Sequence, residues 1–255
     1  MSGISESGSI MLNTEQAFLF RILSKCLSER PREVMVTNEF ALEVLNILKE
    51  SCGTVDFSTR STSELPTGFP EIDVFGYSLL ILRDICAWEN FSSPGTEPPV
   101  ISLLSNGIIE LVLSFLRDLE PPAIVKKSIE KANQQGVQMI STDMKACPYR
   151  GYRRDLVSVI CNCLRGRKQV QDEVRHRNGI LLLLQQCVVD EDNPFLREWG
   201  LLATSYLLEG NPENQNEVAQ LQMQEPVQMP EITNLGLKVE VDEKSGRAKL
   251  VNTVG

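Results

Sequence analysis

Arg154-Asp155-Leu156 and Arg197-Glu198-Trp199 each open a helix-like run, and Gln171-Asp172-Glu173-Val174 is echoed by Gln215-Asn216-Glu217-Val218. The first pair is offset by 43 residues and the second by 44. A stretch that contains itself at a spacing of about 40–47 residues, with helical periodicity, has the period of a helical-repeat array. One such unit cannot bury its own apolar stripe, so neighbours must stack on it. Residues 150–218 therefore decide the fold class.

Working outward, Tyr152 to Leu164 reads as a helix with Leu156, Val159, Ile160, Cys163 and Leu164 on one stripe. Lys168 to Arg177 is a shorter helix, punctuated by Asn178-Gly179, and Ile180 to Val189 follows. Pro194 suits the first turn of a helix over Phe195 to Leu208, whose expected buried stripe is Trp199, Leu202, Ala203, Tyr206 and Leu207. Upstream, Asn106-Gly107-Ile108 repeats the Asn-Gly-Ile corner of 178–180. A Gly there takes a left-handed cap at no steric cost, so a short first helix can turn sharply into a second. Asn38 precedes a similar helix but is followed by Glu39, a weaker corner. Earlier still, Phe18, Ile22, Leu23 and Cys26 have helical spacing, Arg32 to Thr37 reads as a short helix, and Asp73 to Trp88 is apolar most of the way round.

The fold class expected is all-α: an armadillo-like helical solenoid with irregular repeats, the alternative being a non-repeating helical bundle. The 72 residues between Asn106 and Asn178 exceed one unit, which places an insertion over 120–149; a second, rich in Ser, Thr, Pro and Gly, is expected as an exposed or disordered loop over 54–70. The expected organisation is a disordered leader (1–12), irregular repeats (13–150), C-terminal repeats (151–224) and an extended tail (225–255). In the tail, alternation over 237–251 admits a small β-hairpin.

A hydrophobic share of 42% with 23% charged residues is that of a globular chain. The net charge of −9 argues against broad affinity for nucleic acid or an anionic membrane surface. Met1 to Ser9 lacks a basic start and apolar core, so no secretory signal is read there. Seven cysteines, mostly inside apolar helical patterns, suit a reducing compartment. The expected location is the cytosol, with the nucleus left open.

Catalysis has little to stand on. The single histidine, His176, lies in Arg175-His176-Arg177 without a carboxylate or nucleophile pattern beside it. Cys161 and Cys163 are two apart, so on a helix they point to different faces and make a poor metal or redox pair. No phosphate-cradling Gly-rich loop occurs, and no cofactor is expected. A binding surface is the better candidate. Asn162 matches the place where some armadillo arrays carry an Asn that grips an extended peptide, but the comparable positions, Lys25, Ala87 and Ser205, are not Asn. Arg150, Arg153, Arg154, Arg165, Arg167 and Lys168, with Arg175 and Arg177 beyond them, face only Asp155, Asp172 and Glu173 in sequence. They define a candidate basic surface, to be weighed against a merely solvated face with arginines at helix ends.

Several of these pieces together resemble the C-terminal domain of the ataxin-10 family: Asn178-Gly179-Ile180, Asp192-Asn193-Pro194-Phe195, Arg197-Glu198-Trp199 and Pro212-Glu213-Asn214-Gln215. The resemblance covers roughly the last hundred residues well. It implies an armadillo-like solenoid and an intracellular, non-enzymatic scaffold linked to cell division and to cell survival and differentiation. Family members are generally longer, so the chain looks like the C-terminal part of one. The pattern supplies no catalytic residues to carry over. The expected partners are other proteins, with self-association left open, and neither nucleic acid nor a membrane. The alternative is an adaptor that recognises an acidic or phosphorylated peptide through the basic surface.

Overall fold

The structure, a computed structural model, describes residues 12–31, 33–58, 60–87, 97–133, 144–223, 237–241 and 248–252. The expected leader lies outside this set but for Leu12, as do Trp88 and the 134–143 part of the expected insertion. The helices are α1 (Thr14–Glu29), α2 (Asn38–Cys52), α3 (Pro70–Ala87), α4 (Pro99–Ser105), α5 (Ile108–Asp118), α6 (Ala123–Asn133), α7 (Tyr152–Leu164), α8 (Lys168–His176), α9 (Gly179–Leu184), α10 (Leu196–Leu208) and α11 (Pro212–Met223). Strands β1 (Leu237–Val241) and β2 (Ala248–Asn252) pair antiparallel, with Leu237 opposite Asn252 and Val239 opposite Leu250. The described chain is thus all-α but for this terminal hairpin.

Four long helices form a row: α1 packs on α3, α3 on α7 and α7 on α10. The remaining large helices cover the row, α2 and α4 against α3, α5 against α7, and α9 and α11 against α10. One hydrophobic core runs through them from Phe20 to Val218. At its centre Phe57, Phe75, Phe115, Tyr149 and Tyr152 interlock, with successive ring centroids 5.4–6.2 Å apart, within the range where aromatic pairs attract beyond their buried area.

Both Asn-Gly-Ile corners form, by different means. At the first, Gly107 itself is left-handed (φ 81°) and leads into α5. At the second, Asn178 takes the left-handed turn (φ 55°), not the glycine. Gly179 is required for a different reason: a Cβ there would meet the Val174 carbonyl oxygen at 2.9 Å. The Asn38 corner is ordinary. Thr37 caps α2, its Oγ1 accepting from the Phe40 N–H at 3.2 Å.

Several local expectations are corrected. No helix forms over 33–37. The helix expected to reach Val189 stops at Leu184, and α10 starts at Leu196 because Phe195 is left-handed (φ 65°). The buried sides of α1 and α10 are rotated from those expected. In α1 the buried residues are Ala17, Phe20, Ser24 and Leu27, leaving Phe18 and Ile22 exposed. In α10 they are Leu196, Gly200, Ala203, Thr204, Leu207 and Leu208; Trp199 is only partly buried and Leu202 is exposed. Each buried side carries small residues. Close approach of backbones selects them: a Cβ on Gly200 would sit 2.6 Å from the Gln186 carbonyl oxygen.

The two expected insertions meet each other. Residues 54–58 and 60–70 form a largely exposed loop, as expected, but one tied to the rest of the fold. They run beside residues 145–150, and the pair is bonded through the backbone: Ala146 N–H donates to the Phe57 carbonyl (2.9 Å), Ser61 N–H to Cys147 (3.2 Å) and Arg150 N–H to Ser63 (2.8 Å). Val55 is buried, Phe57 joins the aromatic cluster, and Leu65 packs over Gly76. Lys145 extends the contact to Leu119 as an isolated parallel bridge. The two segments form one strap across the array.

Candidate interaction surface

Most members of the arginine-rich stretch are engaged by partners within the protein. Arg150 reaches the Glu64 carboxylate and the Glu191 carbonyl. Arg154 donates through Nε and Nη2 to one Asp155 oxygen, both at 2.8 Å. Arg167 closes the C-terminus of α7, its Nη1 donating to the carbonyls of Asn162 (3.0 Å) and Cys163 (3.2 Å), groups that a helix end leaves unbonded. Lys168 sits 3.3 Å from Asp172 and 3.5 Å from Glu213. Arg175 is held by Asp172 and Asn214, and Arg177 by Glu110 and Glu173. Arg165 is exposed.

Two candidates are used within the fold. Arg153, expected on the surface, is only 3% exposed. It bridges elements, donating through Nη1 to Gln186 Oε1 (3.4 Å) and through Nη2 to the Glu120 carbonyl, and burial pulls its pKa below the usual guanidinium value. Asn162 is half-buried and donates to the Arg83 carbonyl at 3.0 Å, so it ties α7 to α3. Among the described residues that bond is the use its amide has.

The loop before α10 has a larger role than a turn. α7 begins after Gly151, which has no side chain to cap it. Asn193 supplies the cap from the distant loop: its Oδ1 accepts from the Arg153 N–H (3.0 Å) and the Arg154 N–H (3.4 Å), while Gly151 N–H donates to the Asp192 carbonyl (2.8 Å). The Pro212-Glu213-Asn214-Gln215 piece is equally structural. Buried Asn211 and Asn214 bond to Gln171, Asp172 and the last carbonyls of α10, with Asn214 Nδ2 donating to Leu207 at 2.8 Å and Gln215 Nε2 to Leu208 at 2.7 Å.

A groove of about 440 Å³ opens between the start of α6 and this loop. Its walls are Pro121 to Ile124 on one side and Val189 to Asn193 on the other, with Arg60, Lys127, Cys147 and Arg153 completing it. Arg60 is ion-paired to Asp192 at 2.9 Å. Sequence reading missed this site because one wall lies in an apparent insertion and the other in an acidic turn.

The groove is not lined by His176, which is exposed at the last position of α8. Burial pushes the Cys161 thiol up to about 12 and Cys187 up to about 11, so neither is a thiolate at neutral pH. Among the described residues no group of three His, Cys, Asp or Glu side chains converges as metal ligands would, and no single helix is long and apolar enough to cross a membrane.

Residues 152–251 match the family described as the spinocerebellar ataxia type 10 protein domain, a region that starts with α7 and its Asn193 cap and runs through the hairpin. By this match the C-terminal region carries the domain of the ataxin-10 family. The ataxin-10 homolog of Dictyostelium discoideum is 34% identical over 103 residues, 40% of this chain and 17% of that protein. Ataxin-10 of Xenopus tropicalis is 32% identical over 100 residues, 39% of this chain and 20% of the relative. The Debaryomyces hansenii ataxin-10 homolog aligns further, 25% identical over 145 residues, 57% of this chain and 28% of the relative. The chain thus aligns with only 17% to 28% of the length of these relatives. No solved structure matches the chain significantly.

Proposed function

We propose that this chain is a non-enzymatic protein-interaction scaffold of the ataxin-10 type, built as an irregular armadillo-like solenoid. One observation supports the solenoid reading above others: the row α1–α3–α7–α10, in which α7 and α10 are each preceded by a short helix, a left-handed corner and a second helix. Stacked units of this kind present an extended surface along the row, and such surfaces bind proteins. The cytosol is the compartment this reading assigns, and a role in cell division and cell survival follows from the family resemblance. Self-association through the same surfaces is part of the proposal.

The test is affinity capture from cell extract with the purified chain as bait, followed by calorimetric titration of each purified prey. At least one prey binding directly, in the micromolar range or tighter, is expected; if every captured protein fails direct titration, the scaffold reading is wrong. The alternative, an adaptor that uses Arg150 to Arg177 as one continuous exposed basic surface for an acidic or phosphorylated peptide, is not favoured, because those side chains are largely engaged by internal carboxylates and carbonyls. Partner binding that ignores ionic strength and charge reversal at Arg165 and Lys168 would dispose of it.

A further inference from the structure

We infer that the groove between the start of α6 and the Val189–Asn193 loop is a docking site for an extended peptide segment of a protein partner, one that brings an acidic side chain flanked by an apolar one. The inference rests on the scaffold reading and gives one binding site within it.

Three observations carry it. The first is an unmet buried donor. Arg153 is 3% exposed and lines the groove; its Nε–H makes no hydrogen bond and is met only by the Asp190 carboxylate, an ion pair at 3.9 Å that is too long for one. Among the described residues, no other buried side-chain polar atom of this groove lacks a partner. Buried donors are paired as a rule, so a stranded one marks a place where an acceptor belongs. The second is the start of α6, an eleven-residue helix preceded by Pro121-Pro122. The first bond of the helix runs from the Lys126 N–H to the Pro122 carbonyl. The N–H groups of Ala123, Ile124 and Val125 therefore have no intrahelical acceptor. No acidic side chain lies in this first turn and proline offers no capping oxygen; the nearby Glu120 carboxylate is engaged by Lys126 at 3.0 Å and Arg60 at 3.8 Å, so these N–H groups are left without a side-chain cap from their own segment. Exposed Lys127 adds a positive charge beside them.

The third is the shape and polarity of the rim. Ile124 and Val189, on opposite walls, are 45% and 62% exposed. Two apolar shoulders over a donor floor fit a peptide that seats one apolar side chain between them and turns an acceptor inward. The acidic loop does not oppose this. Asp192 is bonded to Arg60, and Asp190 accepts from Asn193 Nδ2 at 3.2 Å and from the Asp192 N–H at 2.9 Å. Glu191, the one fully exposed acid of the loop, is a place for a cationic residue of the same peptide. The volume lies within the range of about 300–1,000 Å³ in which proteins hold small ligands and short segments.

The experiment titrates the full chain, labelled with ¹⁵N, with the blocked pentapeptide acetyl-Ser-Leu-Glu-Leu-Ser-amide and with its glutamine counterpart. The resonances followed are the Arg153 side-chain Nε–H and the backbone N–H groups of Ala123 and Ile124. Saturable shifts at all three are expected with the glutamate peptide, and weaker binding with the glutamine one. Lys127→Glu, a surface change that leaves the core intact, should weaken the glutamate peptide by about three- to five-fold, the scale of an exposed charge pair. Val189→Asp should weaken it as well. Equal binding of the two peptides overturns the inference, as does the absence of saturable shifts at millimolar peptide. Acetate or inorganic phosphate that shifts the same resonances at the same concentration also overturns it, in favour of a small-anion site. If captured partners bind the chain but these resonances stay still, the groove inference fails while the scaffold reading stands.

Discussion

Replacing Asn193 by Ala tests the cap that joins the loop before α10 to the start of α7. Asn193 is 2% exposed, and its Oδ1 accepts from two main-chain N–H groups, those of Arg153 at 3.0 Å and Arg154 at 3.4 Å. Loss of a helix N-cap costs about 0.5–2 kcal/mol. Stranding a buried N–H costs about 1–3 kcal/mol. The two figures describe the same groups and do not add, but the lost bond to Asp190 comes on top. The expected destabilisation is therefore about 2–3 kcal/mol, read as a lower urea midpoint with an unchanged slope in far-ultraviolet circular dichroism. Hydrogen exchange at the Arg153 amide should rise in the native state. Asn193→Asp keeps an acceptor at a helix N-terminus, where negative charge is favoured, but loses the donor to Asp190 and sets two carboxylates side by side. It should fall between wild type and Asn193→Ala. A loss below about 0.5 kcal/mol in Asn193→Ala, within the range of an ordinary surface change, would refute the capping role.

Gly200→Ala should cost about 1–3 kcal/mol or more by thermal or urea denaturation, because the new Cβ meets main-chain atoms of Gln186 that cannot swing away. Trp199→Ala should cost less than the roughly 3–5 kcal/mol of a fully buried aromatic, since Trp199 is only partly buried; a full-sized loss would mean that α10 is rotated from the register described. Asp155 is 1% exposed, and burial holds its carboxyl above the usual value. Its native form then binds a proton more tightly than its unfolded form, so its contribution to stability rises as pH falls through the native value and is lost above it. Stability measured from pH 7 downward should fall more steeply with acid in Asp155→Asn than in wild type; a slope unchanged or shallower would contradict the sign.

The periodicity of apolar residues made α3 and α7 legible, because both helices bury residues on nearly every side and any apolar stripe on them is a buried one. It misled at α1 and α10. There the contact side is chosen by Ala17, Ser24, Gly200, Ala203 and Thr204, whose value lies in being small, and a hydrophobic stripe has no weight for smallness. The arginine cluster was legible as composition but not as a surface, since whether an arginine faces solvent depends on carboxylates that arrive from elsewhere, as Glu64 does for Arg150 and Glu110 for Arg177. The groove was illegible for the same reason: Pro122 and Val189 are far apart in the chain and meet only once α7 is in place. The family motifs, by contrast, stood out in the sequence, and the structure gives their residues mechanical work, with Asn193 closing one helix and Asn214 fastening three.

The strap formed by residues 54–58 and 60–70 with 145–150 changes what kind of object the array is. A plain stack of repeats behaves as a line of dominoes: each unit leans on its neighbours, and pieces can be removed or melted from either end. Here backbone bonds from Phe57, Ser61 and Ser63 to Ala146, Cys147 and Arg150 lock the stretch before α3 to the stretch before α7. Everything threaded between them is enclosed in a loop whose closure joins residues remote in sequence. The middle of the array should melt as a block, fold later than its local helices allow because that closure must come first, and tolerate no excision of a single unit.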